Sequence, residues 1–392
     1  MKPAMAPPRV AFYAHFCFHE PILRPIHDEV AARAQTLLTL DRRKVVAFRP
    51  DVLVVTAHAH IEYFRYHLPQ AILVDVRHGM VSKRKVHRLP GWLRERPFAY
   101  VCVGDSTVIE TYDRAGVRPL GFWETGYPQL DPLFRRVPPP TLPLDPTAPT
   151  VLYAPTWNLG LTSAPMLGTR LVELIRRGAP AANIIIKPHP MIGDWRPRWM
   201  RWWRSLAARF PGVLLVSDTH VDVTRYMLAA DVLISDASSA IFEFLVLDRP
   251  IIVVTNPRHR ADPNYDPDDI LWRWRDVGEE VTAVDELPAA VERALKDPGR
   301  ASERRARYRA ALFGRFNDGY TYRRIADRIL DTGAQPRPTP ESAAVGRPSL
   351  AICMWSQLRE AIWASRWLRR SLLGPRESLR LWARQRSRRT AP

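Results

Sequence analysis

The sequence predicts an α/β protein built from two Rossmann-like domains that face each other across a cleft, followed by a basic helical tail. Three observations carry this reading. Short apolar runs alternate with helical segments along the first third of the chain and then again after a break, which is the pattern of parallel βαβ units. The break is the proline-rich stretch VPPPTLPLDPTAP at 137–149, which can be neither helix nor central strand. The third observation is the segment DVLISDASSAIFEFLVLDRPIIVV, from Asp231 to Val254. It reads as strand, turn, helix, turn and strand. Its turn is rich in helix-capping residues beside a strand's carboxyl end, where open α/β sheets bind phosphates.

In the first domain, residues 1–136, strands are expected at Val10–Ala14, Val52–Thr56, Ile72–Val76, Tyr100–Val103 and Gly121–Thr125. A helix is expected over Ile22–Leu40, and another follows the Gly104-Asp105-Ser106 turn and runs through Arg114, capped by Gly116. The second domain, residues 150–331, restarts the pattern. Its strands are expected at Val151–Ala154, Ile184–Lys187, Val213–Val216, Val232–Ile234 and Ile251–Val254, and a last one begins near Val281. Helices are expected at Met166–Arg177, Val221–Ala230, Ile241–Leu247, Leu287–Leu295, Ser302–Leu312 and Gly319–Leu330. Residues 332–349 read as a polar, flexible linker.

The charge balance, 58 Lys and Arg against 40 Asp and Glu, gives +18 and calls for an anionic partner. No nucleic-acid recognition motif accompanies that charge, so nucleic acid is not expected as a partner. The tail, 350–392, interleaves Trp355, Leu358, Ile362, Trp363, Trp367 and Leu368 with Arg359, Arg366, Arg369 and Arg370. That spacing fits a helix lying in the interface of an anionic membrane. A second Trp- and Arg-rich stretch, Trp195–Phe210, reads instead as a helix packing its tryptophans on the protein. No run is apolar enough to span a bilayer and the first residues lack a signal-peptide core, so a peripheral place on the cytoplasmic membrane face is expected. The widely spaced Cys17, Cys102 and Cys353 form neither a disulfide framework nor a zinc pattern.

Candidate chemistry sits at strand ends. His78, in Arg77-His78-Gly79, follows the strand Ile72–Val76 and is placed to act as a general base, with Gly79 letting backbone approach a ligand and Lys83 and Lys85 adding charge. Lys187-Pro188-His189-Pro190 restrains His189 at another strand end, where an imidazole N–H can bind a pyrophosphate oxygen or protonate a leaving phosphate. Ser238 and Ser239 offer hydroxyls to a phosphate, and Glu243 lies one helical turn on, in reach of a sugar hydroxyl. The structural alternatives are a buried turn histidine, a rigid turn and simple helix caps. His15, His19, His58, His60 and His67 read as loop histidines at strand ends. No Cys or carboxylate completes a metal set with them, and neither metal nor cofactor is expected.

Taken in order, RHGMVSK (77–83), TGYPQLD (125–131), VLYAPTW (151–157), KPHP (187–190), SDASSAIFEF (235–244) and FNDGYTYRRI (316–325) resemble the motifs of the CDP-glycerol glycerophosphotransferases, the teichoic-acid primase and polymerase family with a GT-B fold. The resemblance spans roughly residues 70 to 330. It implies that His78 activates the acceptor hydroxyl and that His189 contacts the donor pyrophosphate. By the same resemblance Ser238 and Ser239 bind donor phosphate, and Thr156 and Lys187 line the donor site with Glu243, while Gly79 and Lys83 serve the acceptor or a phosphate. The implied reaction moves an alditol phosphate from a CDP-alditol, or another nucleotide-activated donor, to a hydroxyl of a lipid-linked or glycan acceptor, with release of CMP. Three departures stand out. Gln129 and Leu130 replace the motif's Arg and Asn, Glu243 replaces its Asp, and the segment before His78 does not specify an acceptor. Two other readings stay open: a nucleotide-sugar transferase or UDP-sugar 2-epimerase of the related fold group, and a non-catalytic membrane-bound scaffold.

Overall fold

The protein is described from a computed structural model. It describes residues 7–56, 60–81, 86–89, 99–218, 220–334 and 348–364. The chain divides into two compact units: residues 1–57 with 72–335, and residues 58–71 with 336–392.

Among the described residues the first unit contains two six-stranded sheets. The strands of the first are β1 (Arg9–Tyr13), β2 (Gln35–Thr39), β3 (Val52–Val55), β4 (Ile72–Asp75), β5 (Tyr100–Val103) and β6 (Gly121–Glu124). They lie in the order β2-β1-β3-β4-β5-β6, and every pairing is parallel. The second sheet comprises β7 (Thr150–Ala154), β8 (Asn183–Ile186), β9 (Val213–Leu215), β10 (Val232–Ser235), β11 (Ile251–Val254) and β12 (Glu279–Val281). Its order is β12-β11-β10-β7-β8-β9, again all parallel. The central strands β3, β8, β10 and β11 are buried at every residue. Continuous Val and Ile runs predict this, because helices cover both faces of a parallel sheet.

Each sheet reverses its winding once, and those points position the site. In the first sheet the reversal lies between β1 and β3, and in the second between β7 and β10. At such a point neighbouring connections leave on opposite faces and open a crevice beyond the strands' carboxyl ends.

Two expectations are corrected. The helix expected over Ile22–Leu40 ends at Ala31, and Gln35–Thr39 forms the edge strand β2. The TLLTL run carries apolar residues that suit either state, and pairing with β1 decides it. The helix expected over Met166–Arg177 is broken at Gly168, whose φ of 48° interrupts Ala164–Leu167 before Leu171–Gly178. The helix Pro197–Arg209 buries Trp199 and Trp203 in the core of the second sheet. The last helix of this unit, Thr321–Gly333, packs on Glu20–Ala31 and sends Ile325, Ala326 and Ile329 into the core of the first sheet.

In the second unit, helix Leu350–Ala364 packs against helix Ile61–His67. Cys353 and Ser356 are buried, while Leu350, Met354, Trp355 and Leu358 are exposed. Residues 335–347 and 365–392, expected as linker and distal tail, lie outside the described residues, and no described helix is long and apolar enough to cross a membrane.

Candidate active site

The two winding reversals meet at one cavity. It has a volume of ≈ 120 Å³, and its walls include His78, Gln129, Lys187, His189, Ser238 and Glu243. Ser239, Asp222 and Phe18 complete the polar and aromatic lining. His78 and Gln129 come from the first sheet's loops and the others, Phe18 apart, from the second's. The walls approach closely: a Cβ placed on Gly79 would lie 3.7 Å from Ser239 Oγ.

The backbone fixes the two histidines in opposite tautomers. His78 follows Arg77, whose φ of 54° turns the chain sharply after β4. Asp75 supports that turn by accepting a hydrogen bond from Arg77 N at 3.0 Å. His78 Nδ1 lies 2.8 Å from the carbonyl oxygen of Thr56. A carbonyl only accepts, so Nδ1 carries a proton, and in the neutral ring the lone pair is on Nε2. His189 is the reverse. Its Nδ1 accepts from Met191 N at 3.2 Å, which caps helix Pro190–Trp195 and puts the proton on Nε2. One imidazole is thus prepared to take a proton and the other to give a hydrogen bond.

His19 and Thr56 hold His78 in place. The His19 ring stacks on His78 with centroids 4.6 Å apart. Its Nδ1 is 2.6 Å from Thr56 Oγ1, and His19 is 1 % exposed. Burial, with Arg42 nearby, lowers the pKa of the neighbouring His15 to about 4, so His15 is neutral.

On the opposite wall Lys187 is buried and donates from Nζ to the carbonyl oxygen of Asp218 at 2.8 Å. Burial lowers its pKa, against the pull of Asp222 and Asp218. Ser239 Oγ donates to Glu243 Oε1 at 2.8 Å. Glu243 is buried, and its pKa rises to about 8, first through loss of solvent and then through the charge of Asp222, partly offset by the Ser239 bond. It is therefore a neutral carboxylic acid at pH 7, able to donate as well as accept. Ser238 Oγ accepts from Ala240 N at 3.3 Å, so the capping role is present beside exposure to the cavity. The helix behind both serines, Ala240–Phe244, is only five residues long before a 3-10 turn at Leu245–Leu247. The polar character of this wall consequently comes from side chains more than from a helix dipole.

The predicted residues His78, Lys187, His189, Ser238, Ser239 and Glu243 all line the cavity. Thr156 does not. It is buried behind the wall, where its N donates to Asp236 Oδ1 at 2.8 Å. Asp236 Oδ2 also accepts from Ser163 N and Oγ, both at 2.8 Å. Asp236 thereby ties the β7 and β10 ends together at the winding reversal. Lys83 lies outside the described residues, as do Lys85 and His58. Among the described residues no group of three His, Cys, Asp or Glu side chains is placed to hold a metal ion.

Four participants were not singled out as site residues from sequence. His19 and Thr56 act through His78, and the signal was their position just past β1 and β3. Asp222 lines the cavity from an irregular segment and Phe18 from the 3-10 turn Cys17–His19, neither with a motif. The TGYPQLD stretch divides its labour. Asp131 accepts from Thr321 N at 3.1 Å and Tyr322 N at 3.0 Å, holding the start of the last helix, whereas Gln129 faces the cavity.

The family model of the CDP-glycerol:poly(glycerophosphate) glycerophosphotransferases matches residues 34–331. A search of curated proteins returns no match. Among solved structures, a variant of the wall teichoic acid polymerase TagF soaked with CDPG is similar with a TM-score of 0.61 and 16 % identity, over 84 % of this chain and 89 % of that one. A putative UDP-N-acetylglucosamine 2-epimerase from Listeria monocytogenes is similar with a TM-score of 0.56 and 14 % identity, over 85 % of this chain and 99 % of that one. The S. aureus MnaA–UDP co-structure follows with a TM-score of 0.52 and 11 % identity, over 83 % and 96 %. At these identities the structures establish a shared GT-B-like fold of two parallel sheets.

Proposed function

The chain belongs to the CDP-glycerol:poly(glycerophosphate) glycerophosphotransferase family, and from that premise we propose that it transfers glycerol phosphate, or another alditol phosphate, from a CDP-activated donor to a hydroxyl of a membrane-linked acceptor, releasing CMP. The pairing of a proton-accepting His78 with a hydrogen-bond-donating His189 in one cavity carries this reading.

In the proposed step the acceptor oxygen attacks the donor's β-phosphorus while its proton passes to His78 Nε2. The bond from that phosphorus to the bridging oxygen breaks, and CMP leaves with the bonding pair. His189 Nε2–H hydrogen-bonds the pyrophosphate, and Lys187, Ser238 and Ser239 take phosphate oxygens. Charge stabilisation and alignment supply most of the acceleration, so no covalent enzyme intermediate is required. His19 and Thr56 act as positioning residues for His78. Thr156 supports this wall through Asp236, and Gly79 leaves room between His78 and Ser239. Lys83 adds positive charge for the acceptor or a phosphate.

The polymer built would be of the teichoic-acid type at the cell surface. The exposed Leu350, Met354, Trp355 and Leu358, with the arginine-rich sequence that follows, support peripheral attachment to an anionic membrane. The domain limits 1–136 and 150–331 remain the proposed acceptor and donor halves, joined by 137–149, with 332–349 leading to the tail 350–392.

Purified protein supplied with CDP-glycerol or CDP-ribitol and a lipid-linked acceptor should release CMP, and His78→Ala should lower the rate by about 10²–10⁴-fold. Turnover of UDP-sugars with none of the CDP-alditols would replace the reading by the 2-epimerase or glycosyltransferase alternative. A cellular phenotype left intact by His78→Ala and His189→Ala would favour the scaffold alternative.

A further inference from the structure

Gln129 occupies an unusual position for a neutral amide. It lies in the 3-10 turn Pro128–Leu130. The backbone on both sides is anchored: Tyr127 hydrogen-bonds Asp105, Leu130 is fully buried, and Asp131 holds two backbone N–H groups of the last helix. Gln129 is itself 6 % exposed and lines the cavity shared by His78, Lys187, His189 and Glu243. Both Nε2 and Oε1 are enclosed, and neither has a hydrogen-bond partner among the described residues. An enclosed amide with nothing to bond is costly, and its place beside the reacting groups points to a ligand that completes it.

The chemistry of that ligand follows from the amide. Nε2 donates and Oε1 accepts. A phosphate oxygen would satisfy Nε2 but leave Oε1 facing negative charge. A hydroxyl can donate and accept, and neighbouring hydroxyls of a polyol can serve both ends at once. The cationic and N–H groups that suit phosphate, Lys187 and His189, are elsewhere on the wall. The alditol is bonded directly to the phosphate those groups would hold, so its hydroxyls fall within the same cavity.

We propose that Gln129 is a specificity-determining residue that hydrogen-bonds a hydroxyl of the donor's alditol, so that the site reads a polyol next to the reacting phosphate. The inference rests on the donor reading above.

Binding of CDP, CDP-glycerol and CDP-ribitol to the full chain tests it by titration calorimetry. Gln129→Met keeps the side chain's length and removes both polar ends. It should weaken CDP-alditol binding by about tenfold to a hundredfold, the loss of two neutral hydrogen bonds, and leave CDP within about twofold. Gln129→Asn keeps an amide but withdraws it by one methylene. It should show the same selective loss, which guards against a folding defect in the first variant. Equal weakening of CDP and CDP-alditol would assign the amide to the nucleotide or pyrophosphate and overturn the proposal. A wild-type preference for the alditol that persists in both variants would overturn it alone. Wild-type protein that gains nothing from either alditol over CDP would overturn both this inference and the donor reading.

Discussion

Replacing Glu243 by glutamine tests the electrostatics of the donor wall most directly. The carboxyl is buried and has Asp222 as its charged neighbour, and these two raise its pKa from 4.5 to about 8 against the hydrogen bond it accepts from Ser239. Below pH 4.5 both folded and unfolded chains carry the proton. Between 4.5 and about 8 the unfolded chain has lost it while the folded one keeps it, so rising pH favours unfolding. Above about 8 both are ionised and the loss is complete. The full difference is roughly 5 kcal/mol at about 1.36 kcal/mol per pH unit. Water admitted to the cavity screens part of it, leaving on the order of 2–3 kcal/mol between pH 5 and 9. Glu243→Gln cannot ionise, so its stability relative to wild type should rise by that amount over the same range. Urea unfolding of both proteins at pH 5, 6, 7, 8 and 9 measures it. Kinetics give a second readout: the wild-type KM for the donor should climb above about pH 8, as an anion appears beside the donor phosphates, and the variant's should not. A stability difference that is constant from pH 5 to 9 would show that Glu243 is already ionised in the folded protein, and the account of this wall would fail.

Other expectations follow from single contacts. Gly104→Ala would put a Cβ 2.2 Å from the Tyr127 ring, and should destabilise the protein by about 1–3 kcal/mol in thermal melts, with a weaker response to CDP-alditol than a remote substitution of equal cost. Asp236→Asn alters the acceptor of the Thr156 and Ser163 backbone N–H groups, and should cost about 1–3 kcal/mol while raising the donor KM, because it loosens both strand ends of the donor wall. Thr56→Val removes the hydroxyl held by His19 but keeps the carbonyl that fixes His78; a modest fall in kcat of about tenfold, with unchanged CDP affinity, is expected from steady-state assays. Removal of residues 340–392 should abolish sedimentation with anionic liposomes, and unchanged binding would refute the membrane role of the tail.

The candidate site was legible in proportion to how local its geometry is. His78, Lys187, His189, Ser238, Ser239 and Glu243 each follow a recognisable strand or turn, so their residue types and positions marked them. Thr156 was marked by the same logic, but its backbone N–H turned inward to Asp236. Nothing in the local sequence tells a turn residue facing a cavity from one facing the core. His19 and Thr56 are neighbours only because β1 and β3 are adjacent at the winding reversal, 37 residues apart in sequence. Periodicity could not resolve Gln35–Thr39 either, since a five-residue edge strand has too few positions to show alternation.

By itself the amino-acid sequence determined the two parallel sheets, most strand positions and the motifs that mark the family, because buried strands, turns and helix stops are written in consecutive residues. Tertiary structure alone decided the tautomers of His78 and His189, the neutral state of Glu243 and the isolation of the Gln129 amide. It also decided the return of Thr321–Gly333 to the first core. Proton positions and unmet hydrogen bonds depend on which distant groups share a cavity and on how much water they exclude, and both are fixed only when the chain has closed.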